Sequence, residues 1–196
     1  MSLSLRTIFL VIVFKCSISS LNAQGADTIL FWSKDHRLNF ADFQGKQRKE
    51  DTTLIAATSN MATHTLGSIV KSIDVHVKTE KTKIIFTIYA GMKRNLSWLK
   101  NNGDSITLKH EQGHFDICEI YARMLRRDLQ KAKSMDEARK LFDKIMELEE
   151  TEHDLYDREN TFDSGGITEI WKEKIADRLK ELEAYSNPVV KIYNQQ

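Results

Sequence analysis

Residues 110 to 114 read His-Glu-Gln-Gly-His, an H-E-x-x-H spacing. At 3.6 residues per turn, positions four apart are offset by about 40° around a helix and one turn along it. On a helix, His110 and His114 therefore turn two imidazoles toward one point, where both can ligate a single tetrahedral zinc ion. Glu111, beside the first histidine, can reach a water on such a metal without ligating it. Zinc lowers the pKa of a bound water to about 7, and a glutamate can take the proton as the oxygen attacks a carbonyl. The plainer reading is a pair of core histidines bonded to carbonyls. Each would then need its own partner, at a cost of about 1–3 kcal/mol if it found none. One shared metal satisfies both.

The elements that must position these groups follow from periodicity. Asn101 to Ser105 form a turn, and Asp104 or Ser105 can cap a helix running to about Lys131. Positions 110, 114, 117, 118, 121, 124 and 125 share its apolar face, so both histidines belong to a buried stripe. Positions 112, 116, 119, 123, 126, 127 and 130 are polar and are expected to face solvent. Ser134 caps a second helix that ends before Asp163-Ser-Gly-Gly166, and a third helix spans Ile167 to Tyr185, ahead of Pro188. Upstream the pattern changes to strands. Residues 28–33 are short and β-rich, and 53–65 read as one long irregular strand. Residues 72–78 alternate, with Ile73, Val75 and Val77 on one face, and pair with 82–91 as a hairpin. Sheet first and helices after is an α+β class.

Composition sets the frame. A chain of 196 residues, 41% apolar and 29% charged, suits one domain with a real core. The formal charge is +1, with no basic patch, which argues against a nucleic-acid partner. Residues 1–23 carry Arg6, an apolar run from Ile8 to Phe14, and small or polar residues ending at Ala23. That is the layout of a secretory signal peptide, too short in its apolar part to span a membrane. The expected mature chain, 24–196, is secreted or periplasmic, with no stable membrane span. Phe14 and Lys15 are poor neighbours for lipid attachment at Cys16. Cys118 is then the only cysteine left, so no internal disulfide is expected.

The stretch from Leu108 to Leu129, with Ser97-Trp-Leu-Lys100 before it, resembles a bacterial family described as predicted secreted zinc-dependent proteases. The segment from Trp32 to Lys46 is similar to that family's N-terminal element, and Tyr156 to Gly166 matches its downstream Y-D-x-x-T-x-H element in part. The resemblance covers most of residues 28 to 180. It implies a zincin-like fold, with an antiparallel or mixed sheet followed by the H-E-x-x-H helix and two more helices. It also implies a Zn2+ cofactor and a protein or peptide substrate. Where the family places a histidine as third ligand, this chain has Phe162 in ungapped register and Asp163 after a one-residue insertion.

The expected metal ligands are therefore His110, His114 and Asp163, with Asp157, Glu159 and His153 as substitutes for the third. Glu111 is the expected general base, and Tyr156 an oxyanion donor. Cys118 is expected to pack in the core, as are Trp98 and Trp171. His153 reads as a surface residue, and the charged runs around it and along the third helix as solvated faces. His36, His64 and His76 have no ligand spacing. The function expected is peptide-bond hydrolysis, with substrate extended along the sheet edge near residues 87–92. The rival is a catalytically inactive zincin-fold envelope protein that binds a partner, supported by the departure at Phe162 and Asp163 and opposed by the intact Glu111.

Overall fold

The computed structural model describes residues 29–46, 67–68, 71–80, 83–99, 105–160 and 164–193. The expected signal peptide, the expected strand over 53–65, His64 and Asp163 lie outside these.

The fold is built on strand β4, Lys83–Lys93. Its alternation sets Ile84, Phe86, Ile88, Ala90 and Met92 on one face, and all five are buried. The expected hairpin forms: β3, Lys71–Thr79, runs antiparallel to β4 with Ile73 opposite Ala90 and Val75 opposite Ile88. On its other edge β4 pairs with β1, Ile29–Phe31, near one end and with β6, Val189–Tyr193, near the other. Between them, Trp32 N–H donates to the Ala90 carbonyl and Ile88 N–H to that of Pro188. Both edges of residues 87–92 are thus occupied, which overturns the expectation that substrate could pair there. Among the described residues, the outer edges of β3, β1 and β6 pair with no strand, and that of β3 is the longest. Two short strands, β2 (Gly67–Ser68) and β5 (Trp98–Leu99), make a separate antiparallel pair.

Helix α1, Ser105–Leu129, lies across the apolar face of the sheet. Ile117, Cys118, Ile120 and Leu125 are fully buried against it. Each fully buried aliphatic side chain of this kind is worth about 1.5–3 kcal/mol relative to exposure. Helices α2, Met135–Glu159, and α3, Glu169–Glu181, also pack on α1. Ser134 caps α2 as expected, its side chain accepting from Glu137 N–H. The third helix stops earlier than its pattern suggests, gives way to a 3-10 turn at Glu183–Tyr185, and is followed by β6, which the sequence reading did not include.

Because α1 is covered on more than one side, four of the seven polar positions expected to face solvent are buried, while Gln130 is exposed. Asp116, Glu119, Arg123 and Arg126 are all buried. Glu119 accepts from Arg123 and Arg126, while Arg126 also donates to the carbonyls of Ile88 and Tyr185. This buried set ties α1 to β4 and to the chain leading into β6. Asp116 accepts from Trp32 Nε1 at 2.8 Å and Arg37 at 2.9 Å, and Gln112 Oε1 accepts from Leu38 N–H at 2.8 Å. Gln112 and Asp116 thereby fasten the segment after β1 onto the helix that carries His110 and His114.

Candidate metal centre

The helix brings its two histidines together as the spacing requires. The rings of His110 and His114 stand edge to face, with centroids 4.8 Å apart, and their Nε2 atoms are 3.1 Å apart. Near the end of α2, Asp157 places Oδ1 2.7 Å from His114 Nε2 and 3.1 Å from His110 Nε2. These three atoms form a nearly regular triangle. Three ligands of a tetrahedral ion, bound at about 2.0–2.2 Å, sit about 3.3–3.6 Å apart. The set therefore fits such an ion with a small outward adjustment. Partial negative charge at the C-terminal end of α2 also favours a cation there.

The tautomers sharpen this. His110 Nδ1 lies 3.1 Å from the Gly166 carbonyl, which can only accept, so Nδ1 carries the proton and Nε2 of the neutral ring carries the lone pair. His153 Nε2 lies 3.2 Å from Glu149 Oε1, and His153 Nδ1 lies 2.9 Å from His114 Nδ1. The carboxylate must accept from His153 Nε2–H. Between the two Nδ1 atoms, one ring donates and the other accepts. The two Nε2 atoms and a carboxylate oxygen, which can only accept, stand within 3.1 Å of one another. That arrangement repels itself unless a proton or a metal cation stands at its centre.

The titration directions agree with such crowding. Burial pulls His114 down to about 4 despite its contact with Asp157. Burial also lowers His153, against the raising effect of Glu149. On His110 burial acts downward but is outweighed by the hydrogen bond with Asp157 and the charges of Glu111 and Asp157, so its pKa is raised. For Asp157 burial acts upward, but the bonds to His110 and His114 prevail and hold the carboxyl well below its usual range.

Glu111 is buried, and its charge raises both His110 and Tyr156, so it lies near those two side chains. Tyr156 is fully buried, with ring centroids 5.0 Å from His110, 4.8 Å from His114 and 5.1 Å from Trp171. Its hydroxyl donates to the His110 carbonyl at 3.1 Å. Tyr156 thus forms the wall behind the imidazoles, and the oxyanion role expected of it would require that bond to be given up. Gly166 has φ of 83°, and a Cβ there would stand 2.2 Å from the Ile106 carbonyl oxygen. Only glycine lets this loop press against the first turn of α1 and offer its carbonyl to His110.

Of the residues expected at the site, the structure brings His110 and His114 together, with Glu111 buried near His110. Asp157 was expected only as a substitute for Asp163, and His153 as a further substitute or a surface residue. His153 is in fact 6% exposed, because α2 turns it inward against His114. Of the neighbouring charges, Glu147, Glu150 and Asp154 are exposed as expected, whereas Glu152 is buried and pairs with Lys174 and Arg178 of α3. Trp98, Trp171 and Cys118 are core residues as expected. A groove of about 470 Å³, lined by Arg37, Leu108, Gln112, Gly113, Ile167 and Ile175 among others, includes none of the three clustered ligand groups. The cluster opens to solvent instead through Asp157, whose side chain is 55% exposed.

No family model, no curated protein and no solved structure matches the chain in comparisons with known proteins. No helix among the described residues is long and apolar enough to cross a membrane.

Proposed function

We propose that the protein is an exported zinc-dependent metallopeptidase with a zincin-like fold, in which His110, His114 and Asp157 hold the metal and Glu111 is the general base. The observation that carries this reading is the meeting of His110 Nε2, His114 Nε2 and Asp157 Oδ1 in one small triangle, with both Nδ1 atoms engaged elsewhere. Export rests on the order of charged, apolar and small residues in the first 23 positions.

A zinc ion held there would supply a water acidified to about pKa 7 and polarisation of the scissile carbonyl. The chain supplies the rest. His110, His114 and Asp157 would hold the metal as three protein ligands, and the exposure of Asp157 leaves the cluster accessible to solvent and substrate. Glu111 takes a proton at its carboxylate from the attacking water and can return it to the leaving amine. Tyr156 and the Gly166 carbonyl keep the imidazoles from rotating. Substrate binding moves from residues 87–92 to the outer edge of β3, where an extended peptide could add as a further strand. That edge begins close to the cluster: the Lys71 charge depresses His153, and Cys118 Sγ lies 3.6 Å from the Ser72 carbonyl.

The test is elemental analysis of the purified mature protein, paired with hydrolysis of a fluorogenic peptide library. About one zinc per chain, lost in His114→Ala together with hydrolysis, is the expected result. A protein that takes up no zinc on reconstitution would end this reading.

A further inference from the structure

We propose that a second site, in the break between β1 and β6, binds a small carboxylate through Arg123 and Lys34. It shares no residue with the metal cluster and does not depend on the metal reading.

The break comes from the sheet itself. On one edge of β4, pairing with β1 stops at Gly91 and pairing with β6 stops at Thr87. Residues 88–90 are met there only by single backbone bonds involving Trp32 and Pro188. A pocket of about 300 Å³ lies at this break, walled by Trp32, Tyr89 and Pro188 and reached by Lys34, Arg123 and Glu183 among others. That is the small end of the range for ligand pockets.

Donor accounting separates the two buried arginines. A guanidinium carries five N–H groups. Arg126 makes five bonds, to Glu119 and to the carbonyls of Ile88 and Tyr185. Arg123 makes three, from Nε to Glu119 and from Nη1 to the Leu179 carbonyl and Glu183. Its Nη2 donates to no group among the described residues, although Arg123 is only 3% exposed. A buried charged donor of this kind is costly to leave unmatched. The Trp32 ring stands 5.2 Å from Arg123 Cζ and shields one face of the guanidinium from water.

Charge names the ligand class. Lys34, Arg123 and Arg126 face the pocket against Glu119 and Glu183, a surplus of one positive charge. Lys34 forms no ion pair among the described residues. One carboxylate balances that surplus and can accept from both Arg123 Nη2 and Lys34. A phosphate dianion would overshoot it beside two carboxylates. The carboxylate can belong to a free small acid or to the C-terminus of a peptide.

Nuclear magnetic resonance titration of the full mature chain tests this, with the Trp32 indole N–H as reporter. N-acetyl-L-alanine should give saturable shifts, and its uncharged amide none. N-acetyl-trialanine distinguishes the sources: tighter binding than N-acetyl-L-alanine marks a peptide terminus, and equal binding a free small acid. Lys34→Glu, at an exposed position, should weaken N-acetyl-L-alanine binding about 10–100-fold, the worth of a hydrogen bond to a charged group. Arg123→Lys, which keeps the charge and removes the spare donors, should weaken it as well. If that variant does not fold, Lys34→Glu decides alone. The proposal is overturned by an amide that binds as well as the acid, by inorganic phosphate that binds more tightly than the acid, by wild-type affinity in Lys34→Glu, or by no shift with either acid.

Discussion

A Cβ added to Gly113 would stand 2.0 Å from the hydroxyl oxygen of Tyr156, so α1 can receive that tyrosine only because residue 113 has no side chain. The glycine between the two histidines is therefore a packing requirement of the site. It lets the tyrosine from α2 reach the His110 carbonyl and back both imidazoles.

Gly113→Ala sets two effects against each other. Helix propensity gains up to about 1 kcal/mol. Overpacking against a ring wedged beside Trp171 and two histidines costs about 1–3 kcal/mol, and the bond from Tyr156 to the His110 carbonyl is lost as well. The net expectation is destabilisation of one to a few kcal/mol in urea titrations of chelator-treated protein, with weaker zinc binding besides. An alanine variant as stable as wild type would show that the tyrosine can move aside freely.

Asp157 is the third corner of the triangle, and its removal should matter more than that of any other carboxylate on α2. Asp157→Ala is expected to lower zinc affinity by at least as much as His110→Ala, while Asp154→Ala, one turn away from the ligand position, leaves it unchanged. Calorimetric titration of each variant with zinc is the measurement. A larger loss in Asp163→Ala than in Asp157→Ala would restore the ligand set expected from the family resemblance.

The helix carrying His110 and His114 was legible because 3.6-residue periodicity depends only on neighbours along the chain. The hairpin of β3 and β4 and the Ser134 cap were legible for the same reason. What escaped depends on partners far away in sequence. Glu119, Arg123 and Arg126 look like a solvated stripe until the Ile88 and Tyr185 carbonyls are brought up to them. His153 and Glu152 look like surface residues until α1 and α3 close over α2. Strand β6 is five residues whose partner lies about a hundred positions earlier, so no local period could reveal its pairing. Asp157 had a ligand's chemistry, and only the placement of α2 beside α1 ranks it first.

Acidification should act in opposite directions on the two imidazoles. His114 titrates at about 4 in the fold against about 6.5 unfolded. The folded state then holds fewer protons between those values, so stability falls as pH drops from about 6.5 to 4, by roughly 3 kcal/mol. His110 is raised, so its contribution is fully present below about 6.5 and is lost as pH rises through its folded value. Chelator-treated protein should therefore gain slightly on going from pH 8 to 6.5 and lose stability below that. Zinc-loaded protein should lose stability over the whole range, because protons compete for the same nitrogens. Melting temperatures across pH 4–8, with and without zinc, check both curves. Parallel curves would mean that the metal does not bind through His110 and His114.

Glu111 separates an enzyme from a partner-binding protein built on the same metal. Its carboxylate is buried beside His110 and Tyr156, near the cluster but outside the triangle of ligand atoms. Glu111→Gln keeps the shape of the side chain and removes its capacity to accept a proton. Zinc content should stay near one per chain, because no ligand is touched. Hydrolysis should fall by at least the 10²–10⁴-fold that general-base catalysis typically supplies. Steady-state rates on the best peptide of a library, measured for both proteins at equal zinc occupancy, give the comparison. A variant that retains zinc and full hydrolysis would remove Glu111 from the mechanism. Wild-type protein that holds zinc yet cleaves no peptide would favour the binding role, and the outer edge of β3 would then be the first surface to probe for a partner.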